Sequence, residues 1–73
     1  MYHYIDDEVK MDFNVPKDLK ILMEECEEFD LKDDYGAYME FATLLTDVAS
    51  KEVFRQGRIT KEQWDKINER YLL

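Results

Sequence analysis

The stretch from Tyr35 to Gln56 limits what this chain can fold into more than any other. At about 100° per residue, Tyr35, Tyr38, Phe41, Ala42, Leu45, Val48, Ala49 and Val53 fall on one broad side of a helix, with Met39 and Leu44 at its edges. Glu40, Thr43, Asp47, Ser50 and Lys51 gather on the other side. The apolar arc spans roughly 220°, against the ~100° stripe that one packing partner needs. Such a helix has to be covered from two directions, by its own flanking segments, by another copy of itself, or by both. Tyr38, Phe41, Leu44, Leu45 and Val48 are therefore the candidate self-association face.

The segments on either side supply two more helices. Pro16 suits the first turn of a helix, where Asp18 complements the helix dipole. Leu19, Leu22, Met23, Cys26 and Phe29 then recur at spacings of three and four, so a helix is expected over 16–29. Ile21 projects among the glutamates and is an exposed apolar candidate for a contact. Asp33 or Asp34 can cap the central helix, expected over 34–56, and Gly57 stops it in the C′ position that glycine favours. Thr60 followed by Gln63 spells a capping box, and Ile59 with Trp64 occupies the positions of a hydrophobic staple. That places a third helix at 61–71, after a tight turn. The phrase Gly57 to Trp64 resembles the helix starts of small bacterial and phage helical proteins, which implies a cap and no activity.

Residues 1–15 read differently. Val9, Met11, Phe13 and Val15 alternate with Lys10, Asp12 and Asn14, the period of a half-buried strand. Asp6-Asp7-Glu8 lacks the glycine of a strong hairpin turn. The expected fold is thus one all-α domain spanning 1–73, three helices with an extended N-terminal arm that can contribute a short strand or hairpin. At 73 residues the core is thin, and oligomerisation is a common remedy at this size.

Composition narrows the function without naming it. Residues 1–50 carry fourteen acids against four lysines, a net of −10, while 51–73 carry six basic residues against four acids. Glu24, Glu25, Glu27, Glu28, Asp30, Asp33 and Asp34 form the candidate partner-binding acidic face. A calcium loop starting at Asp30 fails, because Lys32 would stand at its third position and Gly36 comes one residue late. Phosphate contacts need lysine and arginine, so direct nucleic-acid binding is disfavoured. A helix-turn-helix around Gly57 is the weaker alternative. Its third helix offers Lys61, Lys66 and Arg70, but Glu62, Asp65 and Glu69 offset them.

Catalysis needs positioned reactive groups, and the chain has one histidine (His3), one cysteine (Cys26) and one serine (Ser50). No enzyme, cofactor or metal site is expected. No run approaches ~18 apolar residues, so no membrane span is expected, and Met1-Tyr2-His3-Tyr4 does not open a secretory signal. The expected address is the cytoplasm. The expected function is a non-enzymatic interaction protein, a homo-oligomer through its central helix. The alternative is an acidic inhibitor or nucleic-acid mimic that binds a basic groove of a nucleic-acid-binding protein.

Overall fold

The structure is a computed structural model that describes residues 2–72. It is an all-α domain of three helices with an irregular N-terminal arm, and no strand occurs among the described residues. Helix α1 is Lys17–Leu31. Helix α2 is continuous but not uniform: Tyr35–Thr43 is α-helical, Leu44–Ala49 is π-helical and Ser50–Arg55 is α-helical again. Helix α3 is Lys61–Tyr71.

Short-range chemistry sets each boundary. At the end of α1, Asp33 adopts φ 55°, and the Asp33 and Asp34 amides donate to Asp30 O and Phe29 O at 2.9 and 3.0 Å. This is a Schellman closure with aspartate in the left-handed position usually given to glycine. Asp34 then caps α2 by accepting from the Ala37 amide at 3.2 Å. The far end of α2 repeats the closure, with Gly57 at φ 75° and bonds from Gly57 to Phe54 O and from Arg58 to Val53 O. Both halves of the capping box at Thr60 and Gln63 are present.

The core joins Leu19, Met23 and Cys26 of α1 to Tyr38, Ala42, Leu45 and Val53 of α2 and to Ile67 and Tyr71 of α3. Phe29 stacks on Phe41 at 5.3 Å across α1 and α2, and Phe54 stacks on Trp64 at 4.8 Å across α2 and α3. The Tyr38 hydroxyl donates to Tyr71 O at 2.7 Å, satisfying a carbonyl in the last turn of α3.

The π segment changes which residues of α2 face inward. Ser50 sends its amide back five residues to Leu45 O, and its hydroxyl donates at 2.9 Å to Thr46 O, the carbonyl an α-helical Ser50 amide would take. Thr46 in turn donates to Ala42 O at 2.8 Å. One extra residue in a turn rotates everything after it by about 100°. In unbroken α phase Glu52, seven residues after Leu45, would share its buried face, while Phe54 would point away. The rotation leaves Glu52 exposed, sets Phe54 against Trp64 and turns Thr46 and Ser50 inward. This corrects the uniform helical wheel, which placed Ser50 outside and Val48 inside; Ser50 is buried and Val48 is exposed.

The arm is held by two buried charges rather than by strand pairing. Asp30 is fully buried, and its carboxylate accepts from three successive amides, those of His3, Tyr4 (2.9 Å) and Ile5 (2.8 Å). A carboxylate in the last turn of a helix opposes the dipole, and burial adds a further cost, which these three hydrogen bonds offset. Arg70, near the end of α3, donates to Val9 O at 2.7 Å, and its own carbonyl accepts from the Asp6 amide at 2.9 Å. From Val9 to Val15 exposure alternates residue by residue, as the sequence pattern requires. The apolar members (Met11, Phe13 and Val15) lie on the core, yet no second strand pairs with the segment among the described residues.

Two exposed ion pairs fasten the surface of this assembly. Lys66 reaches both Asp12 oxygens at 2.7 Å, and Arg58 reaches both Asp18 oxygens at 3.1 Å. The hydrogen bonds from Lys66 and Arg58 hold the two carboxyls below the ordinary value of 3.8. A lowered folded pKa contributes stability above the unfolded value, which disappears as pH falls through the folded one. The expected result is that the difference in melting temperature between the parent and Lys66→Met narrows as pH is lowered below 3.8. A constant difference down to pH ~2 would show that the Asp12 contact contributes nothing.

Candidate functional surface

The seven carboxylates expected to form one acidic face are separated by the fold. Asp30 is not on the surface at all: it is buried as the anchor of the arm. It continues the stripe Leu19, Met23, Cys26 at the next helical spacing, and that placement is the reason it points inward. Asp33 accepts from the Tyr4 hydroxyl and Asp34 caps α2, so both already have structural partners. Glu27 is half-buried, with Oε1 at 3.8 Å from Arg70. Glu28 pairs with Lys32 at 3.0 Å. Glu24 and Glu25 have no ion pair among the described residues. The continuous run in the sequence becomes two carboxylates without an ion pair, a paired glutamate and four groups with structural duties.

The expected self-association face is divided as well. Tyr38 and Leu45 are fully buried within the chain's own core, so neither can contact a second molecule while the domain stays folded. Phe41 is half-buried against Phe29. Leu44, 42% exposed, and Val48, 58% exposed, stand one turn apart on the outward side of the π segment. Most of the wide arc is covered by α1, α3 and the arm, with Tyr4 packing on Tyr35 and Tyr38 at 5.2 and 5.1 Å. Ile21 is exposed at 52%, as its position among the glutamates implied, and it lies on α1, away from that strip in sequence.

Reactive groups are few and placed apart. Burial pushes the Cys26 thiol up to about 12, which keeps it protonated at neutral pH and removes its nucleophilic form. Ser50 spends its proton on Thr46 O. His3 lies on the arm, next to Tyr4. Among the described residues no three His, Cys, Asp or Glu side chains gather as a metal ion would need. No helix among them is long and apolar enough to cross a membrane.

A half-open groove of about 450 Å³ runs between the arm, α1 and α3, floored by Met11, Phe13, Met23 and Tyr71. Lys10, Lys20, Glu24, Glu27 and Arg70 line it with both signs of charge, so it selects no single class of ligand. The fold and surface define a small three-helix domain whose arm is clamped by buried charges. Compared with known proteins, the chain matches no family model, no curated protein and no solved structure.

Sequence reasoning missed the Asp30 clamp, the Arg70 clamp and the π segment. Two of the three had a signal. Asp30 stands at a core spacing from Cys26, and Arg70 follows Ile67 at a spacing of three, so each is a charge written into an apolar stripe.

Proposed function

We propose that this chain is a non-enzymatic interaction protein that associates with a second copy of itself through the outward strip of α2. The observation that supports this reading is the pair Leu44 and Val48, two aliphatic side chains left in solvent while the same helix turns Thr46 and Ser50 into the core. Scattered single hydrophobes are ordinary on a surface; these two stand four residues apart on one stretch of α2. A basic protein partner is the second reading. Glu24, Glu25 and Glu28 support it, and the internal duties of Asp30, Asp33 and Asp34 weaken it. Chemistry of this kind suits the cytoplasm, where a free thiol such as Cys26 stays reduced.

Val48→Asp separates the readings. Because Val48 is 58% exposed, the substitution is expected to change stability by less than about 0.5 kcal/mol. It is also expected to abolish association, measured by light scattering behind size exclusion at 0.05 and 0.5 M salt. Association lost in the variant, and persisting in the parent at high salt, supports an apolar self-contact. A parent that associates only at low salt, with Val48→Asp unchanged, would remove the strip from the interface.

A further inference from the structure

Among the described residues, the hydrogen bonds that tie residues 2–9 to the helical body end on three side chains or their backbone: Asp30, Asp33 and Arg70. The Asp30 carboxylate holds the amides of His3, Tyr4 and Ile5, and Asp33 takes the Tyr4 hydroxyl. Arg70 holds Asp6 and Val9, and its guanidinium lies 5.8 Å from the centre of the Tyr2 ring. Ile5 is buried in the core, and Tyr4 covers the Tyr38 ring at 5.1 Å. The attachment changes at Lys10, which is exposed. Beyond it Met11, Phe13 and Val15 pack on the core, and Asp12 is paired with Lys66. The helices hold one another by other contacts: Phe29 on Phe41, Phe54 on Trp64, and the Tyr38 hydroxyl on Tyr71 O.

We infer that residues 2–9 form a releasable clip, which swings away about Lys10 as one unit while the three helices and residues 11–15 stay folded. The inference is independent of self-association through α2. Shared receivers make the clip one unit, because three amides converge on a single carboxylate and two carbonyls on a single guanidinium. Opening removes Ile5 and Tyr4 from their apolar contacts, which opposes it. It also returns the Asp30 carboxylate and the Arg70 guanidinium to water, and both are buried in the closed form. Regaining their hydration offsets part of the lost contact. The apolar packing of helix on helix has no such offset, so the clip opens before the helices part. The open form presents a surface that the closed form hides, a carboxylate on the last turn of α1 beside the face of Tyr38 that Tyr4 covers. The clip is thus a built-in cover for that end of α1 and the start of α2.

Native-state hydrogen exchange of the full chain in sub-denaturing urea tests the clip. The amides of His3, Tyr4, Ile5 and Asp6 are expected to exchange through one shared opening, about tenfold or more faster than those of Cys26 and Ala42 in the core. Their rates are also expected to rise less steeply with urea, because opening the clip exposes less surface than unfolding does. A variant separates the two openings. Val53→Ala thins the core near the end of α2 remote from Tyr35 and Tyr38. It is expected to speed exchange at Cys26 and Ala42 about tenfold and to leave the four clip amides unchanged. If the clip amides share the urea dependence of the core, or accelerate with it in Val53→Ala, they open only when the domain unfolds and the inference is overturned. Four amides that open independently of one another would overturn it too, since the segment would then fray residue by residue.

Discussion

Asp30→Ala is expected to destabilise the domain by about 3 kcal/mol or more and to release the arm. The side chain removed is a fully buried carboxylate that satisfies three successive amides, those of His3, Tyr4 and Ile5. A buried donor left without a partner costs about 1–3 kcal/mol; the Ile5 bond is buried and those of His3 and Tyr4 are partly so, and the relief of desolvating the carboxylate offsets part of the loss. Ile5, a core residue brought in by the same three bonds, loses its tether at the same time. Denaturant unfolding measures the first effect, and amide hydrogen exchange of residues 3–5 measures the second. If those amides stay protected and the midpoint moves by less than the equivalent of ~1 kcal/mol, Asp30 does not hold the arm.

Trp64→Ala is expected to cost about 3 kcal/mol, enough to unfold the domain or reduce it to a molten state. Its indole joins α2 to α3 by stacking on Phe54 at 4.8 Å, next to a capping box that fixes the start of α3. Truncating a core aromatic costs about 3–5 kcal/mol, and the half-burial of Trp64 puts it at the low end. A core of this size supplies only about 3–5 kcal/mol in all. Trp64→Phe separates stacking from hydrogen bonding. The indole Nε1 is buried with no hydrogen-bond partner among the described residues, so a phenyl ring gives up nothing there and keeps the stack. It is expected to melt within about 1 kcal/mol of the parent. A phenylalanine variant as unstable as the alanine one would mean that the indole nitrogen has a partner that matters.

The helices were legible in the sequence because each boundary is decided by a few adjacent residues. Pro16, Asp34, Gly57 and the Thr60–Gln63 box act within one turn of themselves. α1 ends at Leu31, past the expected 29, since the closing residue is Asp33 in a left-handed conformation and no glycine marks it. What was not legible depends on distant parts of the chain. Asp30 and the amides of residues 3–5 are brought together over more than twenty positions, and Arg70 meets Val9 over sixty-one. The alternation from Val9 to Val15 correctly gave one face to the core, but the partner of that segment is the helical layer rather than a strand. The π segment escaped because a helical wheel assumes a constant rotation, and only the conflict of Glu52 with the Leu45 face betrays the change of phase. That error carried straight into the surface, where Val48 was counted inside and Ser50 outside.

The surface reading therefore rests on two residues, Leu44 and Val48, rather than on the full apolar arc. Sedimentation equilibrium of the unmodified chain across a range of micromolar concentrations is the most direct measurement of whether that strip is an interface. The expected result is a mass that rises with concentration from 8.9 kDa toward twice that value and fits a single monomer–dimer equilibrium. A mass fixed at 8.9 kDa throughout the range would contradict self-association through α2.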